Sequence, residues 1–583
     1  MPGFYLTNME YCPNIKPCHE MIFRNTEFAG YKLFQYTTSK FYDDKCFELN
    51  DKYFSCMEGV VLNKKELLEE YRASNISNLT FLMYQKQEEF FNDLRGSFSG
   101  MYCDRISNKW LLFTSHYGDN AVFYYKHEDK FIISSSLEWI AEGLRLNKIY
   151  YNVNEKAVYY MLTYGFMADE STYIDGVSRL LPGHYIEIWG KSFQIKEYYT
   201  LKRDKIDLKD KSEEEIIDIL DELFTRAVKR EYEKDLEYGY KHLVELSGGL
   251  DSRMNYWIAH ELGYKDMLAI TFCQSNYIDE LVAKQIASYW NEELLIWPLD
   301  SAKHLYDVDR DVRLNFGISL YSGVGAELHI LDSLNMHQYG VLHTGQLGGA
   351  VVGTYLKEEQ ELNSLETAGN YSDKLLNKFC DDSYKKYQNK EEYIFNTRGL
   401  LGCLGSHLFA RKYTEECAPF LDVDVMDFCF SIPVSKRIDR YIYKKWILSK
   451  HPEAAKFVWE RTGDLIDRSD LYLKWKQTRQ VAWDVITHPS LLLRKIGLPV
   501  NAPTLSDYRG MNPMDKWLRE NETLQKFVEG YYKKHIEKVR KVLSSKLSED
   551  IDELYEQGSM GEKTQIFTAM SAIELLFTDG YCE

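Results

Sequence analysis

Short apolar and aromatic runs, each closed by turn residues, dominate the first 200 positions. Trp110-Leu111-Leu112-Phe113, Ala121-Val122-Phe123-Tyr124-Tyr125 and Phe131-Ile132-Ile133 have this form. They predict strands of a sheet with two or three helices between them. The pattern changes at Ser212. From there to about Lys234, Ile216, Ile217, Ile219, Leu220, Leu223, Phe224 and Val228 fall on one side of a helix, which predicts one long amphipathic helix. The charged stretch Leu201 to Lys211 is the expected linker. Beyond the helix, strands and helices alternate to about residue 360, and helices follow to the C-terminus.

A chain of 583 residues is too long for one core, so two domains are expected, 1–205 and 206–583. With 45% hydrophobic and 27% charged residues, the chain reads as globular and soluble. No apolar run approaches a membrane span. The first residues lack the basic-then-apolar order of a secretory signal. Eleven cysteines occur without CxxC spacing, which predicts reduced thiols in a cytoplasm rather than disulfides or zinc. The formal net charge of −18 argues against nucleic acid as the main partner.

The most informative stretch is Ser247-Gly248-Gly249-Leu250-Asp251-Ser252-Arg253. It follows Leu243-Val244-Glu245-Leu246, which reads as a buried strand, and precedes Met254 to Leu262, which reads as a helix. A Gly-rich turn between strand and helix lets backbone approach a ligand, and free N–H groups at a helix start attract an anion. The hydroxyls of Ser247 and Ser252 add donors. Asp251 repels phosphate directly, so its natural partner is a cation that binds phosphate. The pattern points to a metal–nucleotide complex.

The loop resembles the pyrophosphate loop of the ATP pyrophosphatases, the group that includes asparagine synthetase, argininosuccinate synthetase and GMP synthetase. The N-terminal half also carries a resemblance. Leu94-Arg95-Gly96-Ser97-Phe98-Ser99-Gly100, Tyr117-Gly118-Asp119-Asn120-Ala121, Ser134-Ser135-Ser136-Leu137-Glu138 and Leu180-Leu181-Pro182-Gly183-His184 look like the glutaminase domain of class II amidotransferases. This order, up to about residue 465, is similar to that of the asparagine synthetase family. The resemblance implies an α/β chain: a four-layer α-β-β-α, Ntn-type domain, then a doubly wound parallel-sheet ATP pyrophosphatase domain with extra C-terminal helices. It implies ATP and Mg²⁺, with Leu246, Ser247, Gly248, Gly249, Asp251, Ser252, Thr271, Thr344 and Gly345 around the nucleotide and Asp251 on the metal.

Departures from the family pattern are as informative. The family's glutaminase needs a cysteine directly after the initiator methionine, where Pro2 stands here. Cys12 and Cys18 are internal and lack the free α-amine that serves as base. The family's Asn-Gly-Glu falls on Glu58-Gly59-Val60, and Asp93 aligns as a remnant of the acid that holds the glutamine amine. No glutaminase nucleophile is therefore expected, and the resemblance shifts toward β-lactam synthetases and lasso-peptide cyclases. In the synthetase half, His343-Thr344-Gly345-Gln346-Leu347-Gly348-Gly349 matches a Ser/Thr-Gly-Glu-Gly-x-Asp-Glu loop. Its catalytic acid falls on Gln346, and its two further acids on Gly349 and Ala350. Gln346 hydrogen-bonds but takes no proton at neutral pH. Tyr413-Thr414-Glu415-Glu416-Cys417-Ala418-Pro419-Phe420-Leu421-Asp422 resembles the acceptor-side E-x-R-x-PFLD segment. The family's lysine has no counterpart in Trp459-Glu460-Arg461-Thr462-Gly463, where Arg461 is the one cation.

Gln346, Arg461 and Glu416 are thus the candidate catalytic residues. Asp279-Glu280 opens a helix and reads either as a cation ligand or as acids favoured at a helix start. Three readings stand: an ATP-dependent amide-forming ligase without glutamine hydrolysis, a decayed nucleotide-binding scaffold, and a glutamine-hydrolysing asparagine synthetase. The first implies small-molecule or peptide carboxylate and amine substrates. No membrane or nucleic-acid partner is expected, and a homodimer or a biosynthetic partner protein fits the family.

Overall fold

The computed structural model describes residues 1–15, 21–323, 325–353, 356, 370–487 and 510–577. Two six-stranded sheets form the N-terminal part. One runs Val177–Arg179, Phe123–His127, Lys130–Ser134, Gly3–Thr7, Tyr31–Thr38, Met21–Phe28 in space. The other runs Ser192–Glu197, His184–Trp189, Lys109–Thr114, Phe98–Asp104, Tyr53–Gly59, Cys46–Leu49. Their strands alternate two cores. Trp110 and Leu112 point between the sheets with Phe4, Leu6, Phe54, Met101 and Ile186. Leu111 and Phe113 point the other way, onto Leu67, Ile76, Leu79 and Met83 of the helices Lys64–Tyr71 and Ile76–Lys86. Strands covered on both faces read as unbroken apolar runs, which is the pattern the sequence shows.

The opposite outer layer is made by the helices Leu137–Leu146 and Glu155–Tyr164, packed on Tyr5, Phe34 and Ile132. The layering is therefore α-β-β-α. The described residues of this half hold four α-helices rather than two or three. Side-chain caps from Asn75, Ser136 and Asn154 start three of them.

The second part is a five-stranded sheet in the order Glu293–Pro298, Met267–Cys273, Lys241–Glu245, Tyr339–His343, Glu416–Cys417, all parallel. The chain winds outward from Lys241–Glu245 in one direction and then, through Tyr339–His343, in the other. This is a doubly wound sheet, and its switch point lies between those two strands. The helix Glu213–Tyr238 crosses behind it, opened by a Ser212–Glu215 capping box and closed by Gly239 at φ +72°. It runs past the apolar periodicity to Tyr238 because its last turn buries paired polar groups. Lys234 meets the buried Asp44 at 2.9 Å. Asp235 accepts from the Val341 N–H at 2.7 Å and lies 2.8 Å from His242 and 2.6 Å from His343.

The stretch 201–211 carries no helix or strand, yet it is held by Arg203–Glu391 and Lys205–Asp427 ion pairs. The C-terminal helices Met514–Glu520, Glu522–Val539, Ser545–Gln557 and Met560–Phe577 share one apolar core with Leu137–Leu146 and Glu155–Tyr164. That core joins residues from both sides of position 205. Among the described residues no helix is long and apolar enough to cross a membrane.

Candidate functional site

Two loops leave the C-terminal ends of the central strands and touch at the switch point. In the first, Leu246 continues the sheet through its N–H to Ile270 O, 2.9 Å. The chain then turns on itself: Ser247 N–H donates to Ser252 Oγ (3.1 Å), and Gly249 N–H donates to Ser247 Oγ (3.1 Å). Gly249 caps the helix Leu250–Glu261. The second loop holds Thr344 and Gly345. A Cβ on Gly345 would lie 2.2 Å from Ser252 N, and one on Gly348 would lie 2.8 Å from Asp251 Cβ. Only glycine permits this approach of backbones. Thr344 is fully buried, donating its N–H to Cys417 O and accepting from Asn255 at its own carbonyl. Thr271 is buried in the neighbouring strand.

Asp251 sits between the loops. Its Oδ2 accepts from Gly349 N–H at 2.7 Å, and its Oδ1 is buried without a hydrogen-bond partner. Where the related pattern has a second acid, a backbone N–H here meets the first. Burial pushes the Asp251 carboxyl up, and Arg440, the Tyr443 hydroxyl and Gly349 N–H act against that.

Two further carboxyls close on the same loop. Asp279 Oδ1 accepts from Gly248 N–H at 2.9 Å, and Glu460 N–H donates to Gly248 O at 3.2 Å. Burial raises both acids, and Asp279 and Asp251 raise Glu460 further. The Asp279-Glu280 pair therefore divides its work. Asp279 turns to the loop, while Glu280 accepts from Asn276 N–H and pairs with Lys284 at the start of its own helix. A buried, partnerless carboxylate oxygen with two more acids nearby suits a hard divalent cation.

Arg253 is the residue that sequence reasoning passed over. It is fully buried and donates to Gly248 O, Val458 O, Phe457 O and Ala454 O, so it ties the loop to the segment that carries Glu460. Arg461, the expected catalytic cation, is exposed and lies 5.8 Å from the Trp459 ring centre. Arg440 lies 5.1 Å from the same ring and is the cation that acts on both Asp251 and Glu460. Asp439 and Arg440 both take left-handed backbone, φ +54° and +57°, conformations costly for such residues and concentrated at functional sites. No motif in the sequence signals them.

Gln346 is held at both ends. Its Nε2 donates to Ser406 Oγ at 2.7 Å, and its Oε1 lies 2.6 Å from His407 Nε2. His407 Nδ1 lies 3.0 Å from Asp119 Oδ2, and Nε2 lies 3.3 Å from Glu416 Oε1. Burial alone would push the imidazole down, but Glu416 and Asp119 outweigh it and raise it to about 10. The charged ring donates from both nitrogens and so fixes which end of the Gln346 amide accepts. Asp119 belongs to the N-terminal sandwich and also receives the hydroxyls of Ser97 and Ser115. Glu416 is buried with a partnerless Oε2; burial and Glu416 push Glu245 up to about 8. Glu415 is buried 3.4 Å from Arg411.

The glutaminase remnants do not assemble. Asp93, the remnant that by itself makes no site, is exposed at the end of a short 3-10 turn. Glu58 is fully buried, accepts from Thr37 Oγ1 at 3.0 Å, and is raised by burial. The Cys12 thiol is raised by burial, and Cys18 lies outside the described residues. Pro2 is buried beside Gly3, where a Cβ would lie 2.6 Å from Ser135 Cβ.

Comparison with known proteins assigns the sandwich. Residues 47–199 match the family described as glutamine amidotransferase domain. The chain carries a glutamine amidotransferase-like domain. Amidase chry2 of Gibberella zeae is 25% identical over 195 residues, 32% of this chain and 27% of that protein. Amidase chyE of Penicillium rubens is 29% identical over 168 residues, 28% and 23% of the two chains. The chain thus spans about a quarter of the length of these relatives. Among solved structures, the glutamine phosphoribosylpyrophosphate amidotransferase of B. subtilis, complexed with ADP and GMP, aligns at TM-score 0.20 and 6% identity over 46% of this chain and 66% of that one. An allosteric regulatory enzyme of purine biosynthesis aligns at 0.22 and 7% over the same shares.

Proposed function

We propose that the chain is an ATP-dependent amide-forming ligase whose amidotransferase-like domain no longer hydrolyses glutamine. The observation that carries the reading is Asp251: a carboxylate with a buried, partnerless oxygen, set between two glycine-built loops at the switch point of a doubly wound sheet. Ligands of such sheets bind in that crevice. To hold phosphate, the N–H groups of 247–249 would exchange their present acceptors, Ser252 Oγ, Asp279 Oδ1 and Ser247 Oγ, for phosphate oxygens, with the hydroxyls of Ser247 and Ser252 beside them, and Asp251, with Asp279 and Glu460, would hold Mg²⁺. ATP supplies the leaving group: a substrate carboxylate displaces pyrophosphate at the α-phosphorus, and an amine then displaces AMP from the acyl carbon, its proton passing to a base. Arg440 supplies the cation near Asp251. Asp119 and the buried Glu416 are the acids that face Gln346's partner His407, and a base must stand within hydrogen-bond reach of the amine.

The test is ATP–pyrophosphate exchange with candidate carboxylates, aspartate included. Exchange with any of them, lost in Asp251→Ala, supports the ligase. Measurable ATP binding with no pyrophosphate release, whatever acid is offered, refutes it and leaves a nucleotide-binding scaffold. One observation favours that second reading: the loop amides of Gly248 and Gly349 already meet Asp279 and Asp251.

Two smaller predictions belong here. Gln346→Glu should change exchange by less than about threefold, because His407 still has an acceptor and Ser406 can turn its hydroxyl to donate; this is under 1 kcal/mol. A change beyond tenfold would give Gln346 a direct chemical role. Glutamine should not be hydrolysed, since Pro2 stands where the nucleophile would and Glu58, in place of an amide, is committed to Thr37. Glutamate release above background by protein free of contaminating amidase would contradict this.

A further inference from the structure

Among the described residues one group of three metal-ligating side chains closes on a point. The ligand atoms of Asp235, His242 and His343 all lie within 4.8 Å of one another. They come from three elements: the helix Glu213–Tyr238 and the adjacent strands Lys241–Glu245 and Tyr339–His343. Nδ1 of His242 and Nε2 of His343 converge on one oxygen, Asp235 Oδ2, at 2.8 and 2.6 Å. The other carboxylate oxygen is held apart by Val341 N–H, at 2.7 Å. Asp235 reaches this place because Gly340 has no side chain; a Cβ there would collide with Oδ1. Glu231, one turn back on the helix, lies 3.4 Å from His343 Nδ1. The Tyr232 ring stacks on the His343 ring at 4.0 Å. His343 is thus fixed in plane, with a carboxylate on its far nitrogen, which is the outer support that metal-bound histidines carry. All three ligands are buried, Asp235 and His343 at 0% exposure and His242 at 2%.

We propose that Asp235, His242 and His343 bind one Zn²⁺ ion, which pins the crossing helix to the two central strands. Two imidazole nitrogens and a carboxylate oxygen are the donor set of a borderline ion, not of a hard one such as Mg²⁺. Three protein ligands with one further position are a set that zinc accepts. With zinc–ligand bonds of about 2.0–2.1 Å, the edges of a tetrahedral site measure about 3.3 Å. Both nitrogens stand closer than that to Asp235 Oδ2, so each backs off by roughly 0.5–0.7 Å to admit the ion. A neutral His343 ring then accounts for both of its contacts: Nε2 gives its lone pair to the metal, and Nδ1–H donates to Glu231. Asp235 and Glu231 balance the charge of the ion, and the protons that otherwise bridge the rings to Asp235 are released. The site is sealed in the core, so its role is structural, unlike that of the crevice at Asp251. His343 directly precedes Thr344, and the strand of His242 runs on into Ser247. The ion therefore steadies the roots of both loops.

The experiment is elemental analysis of the full chain, produced without a histidine tag in zinc-supplemented medium. The folded protein is first treated briefly with EDTA and gel-filtered, which strips ions from exposed sites. We expect about one zinc per chain. His242→Asn and His343→Asn should each hold at least tenfold less, and Asp251→Ala as much as the unaltered chain. Less than about a tenth of a zinc per chain in the unaltered protein overturns the proposal without any variant, and shows that protons alone bridge the cluster. So does a folded His343→Asn protein with its full zinc, or a folded Asp251→Ala protein without it. A second measurement keeps the test independent of whether the histidine variants fold. The urea midpoint of the unaltered chain should fall when EDTA is present throughout, because zinc released on unfolding is captured. An unchanged midpoint overturns the proposal.

Discussion

Asp251→Ala is expected to weaken ATP·Mg²⁺ binding at least tenfold, about 1.4 kcal/mol or more, while the protein melts within a few degrees of the unaltered chain. The two halves of this expectation have one cause. Burial raises the Asp251 carboxyl, so its ionised form is a cost in the folded state. Removing it loses the hydrogen bond from Gly349 N–H and the interaction with the Tyr443 hydroxyl, and relieves the crowding of like charges with Glu460. A carboxylate kept at a net cost to stability is what a cation site requires. Calorimetric titration with ATP at saturating Mg²⁺, beside thermal melts, reads both. Equal affinity in the two proteins would remove Asp251 from the nucleotide site. A melting temperature lowered by ten degrees would make it a structural residue instead.

Much of the local structure of these loops was legible in the sequence, and the parts that were not share a physical reason. Ser247 to Ser252 announced a strand, a turn and a helix because each glycine serves a local need. Gly345 and Gly348 obey the same logic, although their crowding partners lie a hundred residues away. The inner strands of the sandwich were legible from apolar runs, since burial on both faces leaves no alternation to misread; that they form two sheets came from the resemblance. Arg253, Arg440 and His407 were not legible. A buried arginine that ties four carbonyls looks in sequence like any arginine on a helix. Arg440 works through a left-handed backbone that no neighbouring glycine signals. His407 depends on Asp119, 288 positions away, and on Gln346. Arg461 is the converse case: a residue placed in this segment by resemblance, which reads equally as a surface arginine, and its side chain is exposed.

Asp119→Asn is expected to destabilise the chain by about 3 kcal/mol at pH 6, and by much less at pH 10. Truncating one partner of a buried charge pair typically costs about 3–5 kcal/mol. Glu416 remains beside His407 in the variant, so the lower end applies. The pH dependence follows from the direction of the shift. His407 ordinarily titrates near 6.5, and Glu416 and Asp119 hold it at about 10 in the folded chain. A raised histidine contributes stability that is complete below its unfolded value and is lost as pH climbs through its folded value. Replacing Asp119 removes part of that raising effect. The gap between the two proteins should therefore be widest at pH 6 and close progressively toward pH 10. Groups away from this cluster that titrate in the window, such as Lys40, which burial lowers to about 7, act alike in both proteins and cancel in the difference; Glu245, held at about 8 beside Glu416 and His407, titrates with the cluster and belongs to the gap. Urea midpoints measured for both proteins at each pH give the gap directly. A gap of the same size at pH 6 and pH 10 would show that Asp119 acts as a neutral hydrogen-bond acceptor. In that case the charge on His407 is not what joins the amidotransferase-like domain to the second loop.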